Sequence, residues 1–355
     1  MKKFRPNGLP VLIGSLPMGD HDEAIKLVFE HTPRIPLWVQ LPVYEEEGMI
    51  AQFLPGLPGL TTEKGRTFID TAGADFGDQL VKFYEEYMAV TAGATACEDS
   101  RFVLKSDTAR GFFTLLESIG TLDETPVALK GQITGPVTFG LGVTDQDRRA
   151  IFYNEQVRDA AVKLLALKAG WQVRTLSKFG CPVIVFIDEP ALAGFGSSAF
   201  ISISQDEVAA CLNEVIGAVQ AEGGLAGIHV CANADWSLIL ESNTDIVSFD
   251  AYSYFDKFIL YPDHIKKFLE SGGILAWGIV PTSSPDDIKK ETAHSLASAW
   301  QDQAGAVAKL GIEPLKLLSQ SLITPSCGTG SLSLDLATRV LMLTRKVSDT
   351  IRSLS

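Results

Sequence analysis

A histidine and a cysteine, His229 and Cys231, end the apolar run Gly227–Cys231. Side chains two positions apart on a strand point to the same side, so the imidazole and the thiol would face one ligand together. Neutral imidazole and thiolate are ligands that Zn²⁺ prefers in proteins. The pair therefore predicts part of a zinc site, with the alternative that a histidine and a cysteine simply pack side by side in the core.

Two further candidate ligands follow later apolar runs. Asp250 ends the run Ile246–Asp250, and Cys327 comes shortly after the run Leu315–Ile323. A buried carboxylate is costly unless it is paired, hydrogen-bonded or bound to a metal. Asp250 is therefore either a metal ligand or a residue that caps a helix or makes a structural hydrogen bond. With the first pair, these residues would supply two thiolates, one imidazole and one carboxylate, a set that suits zinc.

Candidate groups for binding an ammonium group and a carboxylate follow two other apolar runs. Asp188 and Glu189 end the fourth run and, being adjacent, point to opposite sides. One of them would face the substrate and bind an ammonium group, whereas the other would be a surface-loop acid. The segment Ile13–Ser15 follows the first run, and its backbone N–H groups would hold a carboxylate, because Gly14 permits close approach.

Eight short, nearly continuous apolar runs alternate with longer amphipathic stretches. Such runs are typical of strands buried on both faces of a parallel sheet, and the alternation indicates right-handed βαβ units. The runs are Val11–Gly14, Leu37–Leu41, Val127–Ile133, Val183–Ile187, Gly227–Cys231, Ile246–Asp250, Ile274–Val280 and Leu315–Ile323. They predict an α/β protein with a (β/α)₈ TIM barrel, and a doubly wound open sheet is the alternative. In a barrel the carboxyl ends of the strands converge on one face, which would bring the four candidate zinc ligands together.

The stretches between the runs have helical periodicity. Helices are predicted at Asp20–Glu30, with Asp20 as the N-cap, and at Phe76–Val90, Arg148–Phe179, Gln205–Ala221, Asp263–Ser271, Pro285–Leu310 and Ser333–Ser355. A long insertion, residues 43–126, separates the second and third strands and is expected to cap one mouth of the barrel. No linker divides the chain, so residues 1–355 are expected to form one domain.

Composition narrows the function classes. The 355 residues include 30 basic and 43 acidic ones, and the formal charge of −13 disfavours nucleic acid and anionic membranes as partners. No apolar stretch reaches the roughly 20 residues that span a bilayer, and no signal peptide is recognised, so a cytoplasmic location is expected. Five scattered cysteines do not indicate a disulfide framework, and those in or beside helical stretches are expected to be packing residues: Cys97, Cys181 and Cys211.

Five short motifs at predicted strand ends occur in an order known from one protein family. They are Ile13-Gly14-Ser15, Thr134-Gly135-Pro136-Val137-Thr138, Ile187-Asp188-Glu189-Pro190-Ala191-Leu192, His229-Val230-Cys231 and Pro325-Ser326-Cys327-Gly328. Through these motifs, and from about residue 10 to residue 345, the sequence resembles the C-terminal catalytic domain of cobalamin-independent methionine synthase, in a short, single-domain form. The wider superfamily includes uroporphyrinogen decarboxylase and zinc methyltransferases that act on coenzyme M.

The resemblance implies zinc-dependent methyl transfer to the thiol of homocysteine, as in methionine biosynthesis. It implies that His229, Cys231 and Cys327 hold the zinc. The family's fourth ligand is a glutamate on the following strand, and Asp250, which is one methylene shorter, stands in the matching place.

The resemblance also implies how the amino-acid part of homocysteine is bound. Its carboxylate would meet the backbone of Ile13–Ser15, and its ammonium group would meet Asp188. A glutamate from the region after the second strand also contacts the amino acid in the family. Four glutamates of that region remain candidates here: Glu45, Glu46, Glu47 and Glu63.

The methyl donor is expected to be a methyl-corrinoid, either methylcobalamin or a corrinoid protein. The family has a histidine after its seventh strand that is implicated in protonating the departing folate, and Ser283 stands in that place here. A folate nitrogen leaves poorly unless it is protonated, whereas a methyl group on cobalt needs no such proton. The alternatives are transfer to another thiol such as coenzyme M, a metal-free enzyme like uroporphyrinogen decarboxylase, and a non-catalytic corrinoid- or zinc-binding accessory protein.

Overall fold

A curled parallel sheet forms the centre of the computed structural model, which describes residues 4–194 and 203–353. The strands in these ranges are β1 (Leu9–Pro10), β2 (Leu60–Glu63), β3 (Arg66–Ile69), β4 (Leu129–Thr134), β5 (Val183–Asp188), β6 (Leu225–Val230), β7 (Ile246–Phe249), β8 (Ile274–Val280) and β9 (Ser321–Pro325). Seven of them form one sheet in the order β1-β9-β8-β7-β6-β5-β4, and β2 pairs with β3 in a separate antiparallel hairpin. The sheet curls into a half-barrel with helices around it, which confirms the predicted α/β, TIM-barrel-like fold.

The predicted second strand, Leu37–Leu41, joins the two edges of this sheet without becoming a regular strand. Leu37 makes an isolated parallel bridge to Lys130 of β4, and Gln40 makes another to Ser15, a few residues after β1. These contacts connect β4 with the chain that continues from β1. The described strands and this segment therefore follow the connectivity of an eight-stranded barrel.

The two faces of the sheet bury separate sets of apolar residues. The inner set includes Leu9, Val11, Ile184, Phe186, Ile246, Ile274, Ala276 and Leu322. On the outer face, side chains pack against helices, as Trp277 does against Trp300 with ring centroids 6.0 Å apart. Because both faces are buried, the strands are continuous apolar runs rather than alternating patterns.

Thirteen α-helices surround the sheet in the described ranges. They are α1 (His21–His31), α2 (Phe76–Thr91), α3 (Arg110–Ser118), α4 (Pro136–Gly142), α5 (Glu155–Leu176), α6 (Gln205–Ala221), α7 (Trp236–Glu241), α8 (Ala251–Phe258), α9 (Pro262–Glu270), α10 (Pro285–Lys290), α11 (Ala293–Ala308), α12 (Pro314–Ser319) and α13 (Leu334–Ser353). Asp20 caps α1 as predicted, since its side chain accepts from the amides of Asp22 and Glu23. No helix in the described ranges has the combination of length and apolarity that crossing a membrane requires.

Two predicted helices have different bounds because capping residues interrupt them. The helix predicted at Arg148–Phe179 begins at α5, where the Asn154 side chain accepts from the Val157 amide. The helix predicted at Pro285–Leu310 is divided into α10 and α11, because Thr292 forms a capping box at the start of α11. The last predicted helix is observed as α13, and its two final residues, 354 and 355, lie outside the described ranges.

The eighth predicted strand, Leu315–Ile323, is wrong in its first half. Its first residues belong to α12, and only its end belongs to β9. Glu313 caps that helix by accepting from the amides of residues 315 and 316, and Pro314 occupies the first turn. A proline at this position and an acidic cap favour a helix start, and they outweigh the apolar run that follows.

The long insertion begins at the end of the barrel where the strands end. The hydroxyl of Thr134, the last residue of β4, donates to the Met49 carbonyl at 2.5 Å. Further along, the buried ammonium of Lys168 on α5 donates to the carbonyls of Phe53 and Pro55 at 3.1 and 2.7 Å. The start of the insertion is therefore fixed beside the carboxyl ends of the strands, where the candidate site lies.

Candidate metal centre

Three of the predicted ligands meet at the carboxyl ends of two strands. His229 lies near the end of β6, Cys231 follows it directly, and Cys327 lies two residues beyond β9. One ligand atom from each residue, an imidazole nitrogen or a sulfur, lies within 4.8 Å of those of the other two. Because β7 and β8 separate β6 from β9 in the sheet, this contact crosses the mouth of the curled sheet.

His229 presents one ring nitrogen that has no protein partner. The ring is 4% exposed, and its Nδ1 lies 2.9 Å from the hydroxyl oxygen of Ser248 on β7. Its Nε2 is buried and has no hydrogen-bond partner among the described residues. If the Ser248 hydroxyl accepts the Nδ1 proton, the Nε2 lone pair is left for a metal ion. An orphaned, buried nitrogen beside two sulfurs fits a metal site.

The two cysteines share a hydrogen bond that lowers the pKa of one thiol and raises the pKa of the other. The Cys327 thiol beside its sulfur, and the neighbouring His229 imidazole, lower the pKa of Cys231 to about 4. The same bond to Cys231, together with burial, raises the pKa of Cys327 well above its usual range. The pair thus holds one thiolate at neutral pH, and thiolate is the form that binds metal and reacts as a nucleophile. With the imidazole, the donors form an N/S set of three that suits zinc and leaves a fourth position.

The remaining cysteines have a different environment, as expected for packing residues. Cys97 and Cys211 are buried, and Cys181 is half-buried. Burial raises the pKa of each of these thiols, in Cys211 to about 11. They therefore remain protonated and unreactive at neutral pH.

Asp250 lies close to the three ligands but is occupied as a helix cap. One of its carboxylate oxygens accepts from the Ser253 amide at 2.8 Å and so caps α8. It does not belong to the group of mutually close ligand atoms among the described residues. Burial raises the pKa of its carboxyl group. A role for Asp250 as fourth ligand stays a prediction.

Both acids at the end of β5, Asp188 and Glu189, are buried, so the expected surface-loop acid is not found. Asp188 is 6% exposed and faces the cavity, and its Oδ1 has no hydrogen-bond partner among the described residues. Burial raises its pKa to about 6, against the opposing charges of His229 and Lys130. Of the pair, Asp188 is therefore the acid available to a ligand.

Glu189 turns away from that cavity and binds the start of α4. Its carboxylate accepts from the amides of Val137 and Thr138 at 2.9 and 2.8 Å, and from the Thr138 hydroxyl at 2.6 Å. An anion at a helix N-terminus satisfies free N–H groups and the helix dipole. The environment gives Glu189 a structural role, and its predicted contact with substrate stays a prediction. Burial raises its pKa to about 7.

A cavity of about 350 Å³ opens beside the three ligands. Its wall includes Ile13 and Ser15 from the end of β1, and Glu47 and Met49 from the insertion. Gly14 is not in this wall. A Cβ at its position would lie 2.9 Å from the Gln40 side-chain oxygen, so packing against its neighbours explains the glycine.

The carbonyl groups of Ile13–Ser15 all accept hydrogen bonds from the protein. The donors are the Lys130 ammonium for Ile13, the Gln40 amide for Gly14, and the Thr329 amide and hydroxyl for Ser15. In a planar trans peptide the N–H group points away from the carbonyl oxygen. The Ser15 amide is therefore turned away from Gln40. Its nitrogen lies 3.6 Å from the place of a Cβ on Gly328, in the cavity wall.

The structure singles out one of the four candidate glutamates. Glu47 is 3% exposed and lines the cavity, whereas Glu45, Glu46 and Glu63 are exposed. Nothing in the sequence distinguishes Glu47 from its neighbours, because its burial depends on packing against α1. The cavity wall contains the acids Glu47 and Asp188 and no lysine or arginine among the described residues.

The sequence interpretation did not single out Lys130 and Ser248. Lys130 is fully buried inside the barrel, and its ammonium lies 4.5 Å from the centre of the Phe186 ring. Burial lowers its pKa to about 8, and the charge of Asp188 opposes this change. A lysine within an apolar strand is rare enough to have been a signal. Ser248 offers none, since serine is common in strands of every kind.

Comparison with known proteins adds little to this geometry. No protein-family model matches the chain, and no curated protein matches it. Among solved structures, a methyltransferase from Methanosarcina mazei is similar over 95% of this chain and 93% of that chain, with 13% sequence identity and a TM-score of 0.46. A likeness this distant decides neither the fold nor the activity, both of which rest on the geometry of this chain.

Proposed function

We propose that the protein is a zinc-dependent S-methyltransferase that methylates the thiol of homocysteine and releases methionine. The observation that carries this proposal is the group of ligand atoms from His229, Cys231 and Cys327, all within 4.8 Å of one another. Zinc held there would lower the pKa of a substrate thiol and keep its sulfur as a thiolate nucleophile. The sulfur then forms a bond to the methyl carbon while the bond between that carbon and the donor breaks.

The chain's own residues bind and orient the substrate. Asp188 and Glu47 offer carboxylates for an ammonium group, and we assign the Ser15 amide as donor for a carboxylate, because Ser15 lines the same cavity. A volume of about 350 Å³ holds a small amino acid with its thiol near the ligand group. Holding sulfur and methyl donor in line contributes roughly 7–11 kcal/mol to catalysis in favourable cases.

The charges of the cavity favour homocysteine over coenzyme M. Coenzyme M is a thiol with an anionic sulfonate and no ammonium group. Two carboxylates without a lysine or arginine in the described wall would repel such an anion and attract an ammonium group. The second candidate, methyl transfer to coenzyme M, is therefore the less favoured one.

As methyl donor we propose a methyl-corrinoid, either methylcobalamin or a corrinoid protein, rather than methyltetrahydrofolate. Ser283 is exposed in the loop after β8. In the family that the sequence resembles, this place holds the histidine implicated in protonating the departing folate. A serine hydroxyl is too weak an acid to protonate a folate nitrogen at neutral pH. Transfer from cobalt to sulfur needs no proton at the leaving group.

The test combines zinc analysis with a methyl-transfer assay on homocysteine and methylcobalamin. Wild-type protein is expected to bind one zinc and to form methionine, and Cys231→Ser is expected to lose both together. Cys181→Ser serves as the matched control, because that half-buried thiol lies outside the ligand group and should retain both. Turnover that survives complete removal of zinc would falsify the proposal.

The same assay separates the non-catalytic and metal-free alternatives. An accessory protein would bind zinc or corrinoid without forming methionine. A metal-free enzyme of the decarboxylase type would bind no zinc, and the contact between the Cys231 and Cys327 thiols argues against it. Equal activity with methyltetrahydrofolate and with methylcobalamin would overturn the choice of donor alone.

A further inference from the structure

Glu47 of the cavity wall forms a buried hydrogen-bonded pair with His21 on α1. Glu47 Oε1 accepts from His21 Nε2 at 2.7 Å, and Glu47 Oε2 accepts from the Leu41 amide at 2.9 Å. The two side chains are 5% and 3% exposed. An ionised carboxylate can only accept hydrogen bonds, so this contact requires the proton on Nε2 of His21.

The histidine ring is itself fixed in place. It stacks on the ring of Tyr44 with centroids 5.6 Å apart and planes 12° apart. The Tyr44 hydroxyl donates to the Gly19 carbonyl at 2.6 Å, which connects the insertion to the residues just before α1. His21 therefore holds Glu47 from an element that does not line the cavity.

The two hydrogen bonds leave Glu47 with acceptor capacity for a ligand. A carboxylate has about four lone-pair sites, and His21 and the Leu41 amide use one on each oxygen. Because both oxygens are tied to rigid partners, the carboxylate loses little freedom when a cationic group binds. An acceptor fixed in this way discriminates strongly between a ligand that supplies donors and one that does not.

We propose that His21 is a positioning residue for recognition of the substrate's ammonium group, which it serves by fixing the Glu47 carboxylate toward the cavity. This inference rests on the proposed function, and it makes the His21–Glu47 pair the determinant that selects thiols bearing an amine. Asp188 supplies the second carboxylate of the same cavity. His21 acts through Glu47 and does not touch the substrate itself.

The test compares two thiols that differ only in the amine. Homocysteine is assayed as the substrate, and 4-mercaptobutanoate, its analogue without the amino group, is assayed as a competing inhibitor. His21→Phe keeps an aromatic ring for stacking on Tyr44 and removes the N–H donor. It is expected to raise KM for homocysteine about tenfold or more, the usual loss for a hydrogen bond to a charged group. The kcat value and the inhibition constant of 4-mercaptobutanoate should change little.

Two further variants control for a merely structural role. His21→Gln restores an N–H donor and is expected to recover the preference for homocysteine. His31→Phe alters another buried histidine of α1, one outside the cavity wall, and should leave KM for homocysteine unchanged. Zinc content and thermal unfolding are measured for each variant, so that loss of the fold is recognised separately.

The proposal is overturned if His21→Phe weakens both thiols equally, or if a folded His21→Gln shows the same selective loss. If His21→Phe does not fold, His21→Gln alone tests the proposal. A wild-type KM for homocysteine in His21→Gln supports the proposal, and a selectively raised KM overturns it. If the zinc-bound wild type does not methylate homocysteine, the proposed function fails instead. Calorimetric binding of homocysteine and 4-mercaptobutanoate to zinc-bound wild type and variants then decides the role of His21 independently of turnover.

Discussion

At the scale of single residues, metal binding at the candidate centre would depend on which nitrogen of His229 carries a proton. Ser248 lies beside it on the neighbouring strand, in register with His229, and its hydroxyl oxygen is 2.9 Å from Nδ1. The ring of Phe186 lies nearly parallel to the imidazole, with planes 10° apart, and limits its rotation. If the Ser248 hydroxyl accepts the Nδ1 proton, these two neighbours together set the tautomer and the orientation that His229 needs as a metal ligand.

Asp250 provides a test at the same scale, because a cap and a ligand respond differently to loss of charge. Asparagine caps helices as well as aspartate does, whereas alanine costs about 1 kcal/mol. The observed bond from Ser253 favours the cap, so we expect Asp250→Asn to retain both stability and zinc affinity. Asp250→Ala should lose stability only. Urea unfolding and zinc competition with a chelator measure the two properties. Weaker zinc binding by Asp250→Asn at unchanged stability would return Asp250 to the ligand set.

At the scale of elements, the sequence predicts best where pattern and caps agree. Helix α6 was predicted with its observed bounds from its periodic stretch, and in the structure Ser204 and Glu207 form a capping box where that stretch starts. The hairpin of β2 and β3 was missed. Its strand residues are mostly polar, and the only local sign is its turn at Lys64 and Gly65, both with positive φ. Such a hairpin depends on turn chemistry rather than on an apolar pattern.

The site follows the same rule. His229, Cys231 and Cys327 could be predicted together because a barrel brings the carboxyl ends of its strands to one face. The contact between His21 and Glu47 could not, since it joins α1 to the insertion across 26 positions through packing that no local pattern encodes. The sequence therefore predicted the residues that the strand topology brings together, and it did not predict the contact that forms when the insertion packs against α1.

Anchoring of the insertion makes stability depend on pH through one side chain. Burial, helped by the charge of Lys105, lowers the pKa of Lys168 to about 7. In the unfolded chain this pKa is about 10.4, so between these values the unfolded state binds more protons than the folded state. The free energy of unfolding of the wild type, compared with that of Lys168→Met, should therefore rise with pH between about 7 and about 10. The rise is at most ~1.4 kcal/mol per pH unit. Urea unfolding of both proteins across this range measures the difference, and a difference that does not change with pH would contradict the assigned burial.

At the scale of the whole molecule, the candidate metal centre brings together the ends of two strands that are not neighbours in the sheet. His229 and Cys231 come from the end of β6, and Cys327 comes from beyond β9, with β7 and β8 between them. A metal ion bound by all three would join these two strand ends directly. It would therefore oppose opening of the curled sheet, in addition to holding a substrate thiol.

Zinc is therefore expected to stabilise the fold, and to stabilise the ends of both β6 and β9. A ligand that binds only the folded state adds ~4 kcal/mol to the free energy of unfolding at a free concentration about a thousandfold above its dissociation constant. Hydrogen exchange should slow on zinc addition in β6 and β9 alike, because local opening of either strand now requires loss of the metal. Cys327→Ser should abolish the slowing in β9, while Cys181→Ser, altered outside the ligand group, should keep it in both strands. Slower exchange confined to β6 would mean that Cys327 does not share the metal with the other two ligands, and the bridge across the mouth of the sheet would then be absent.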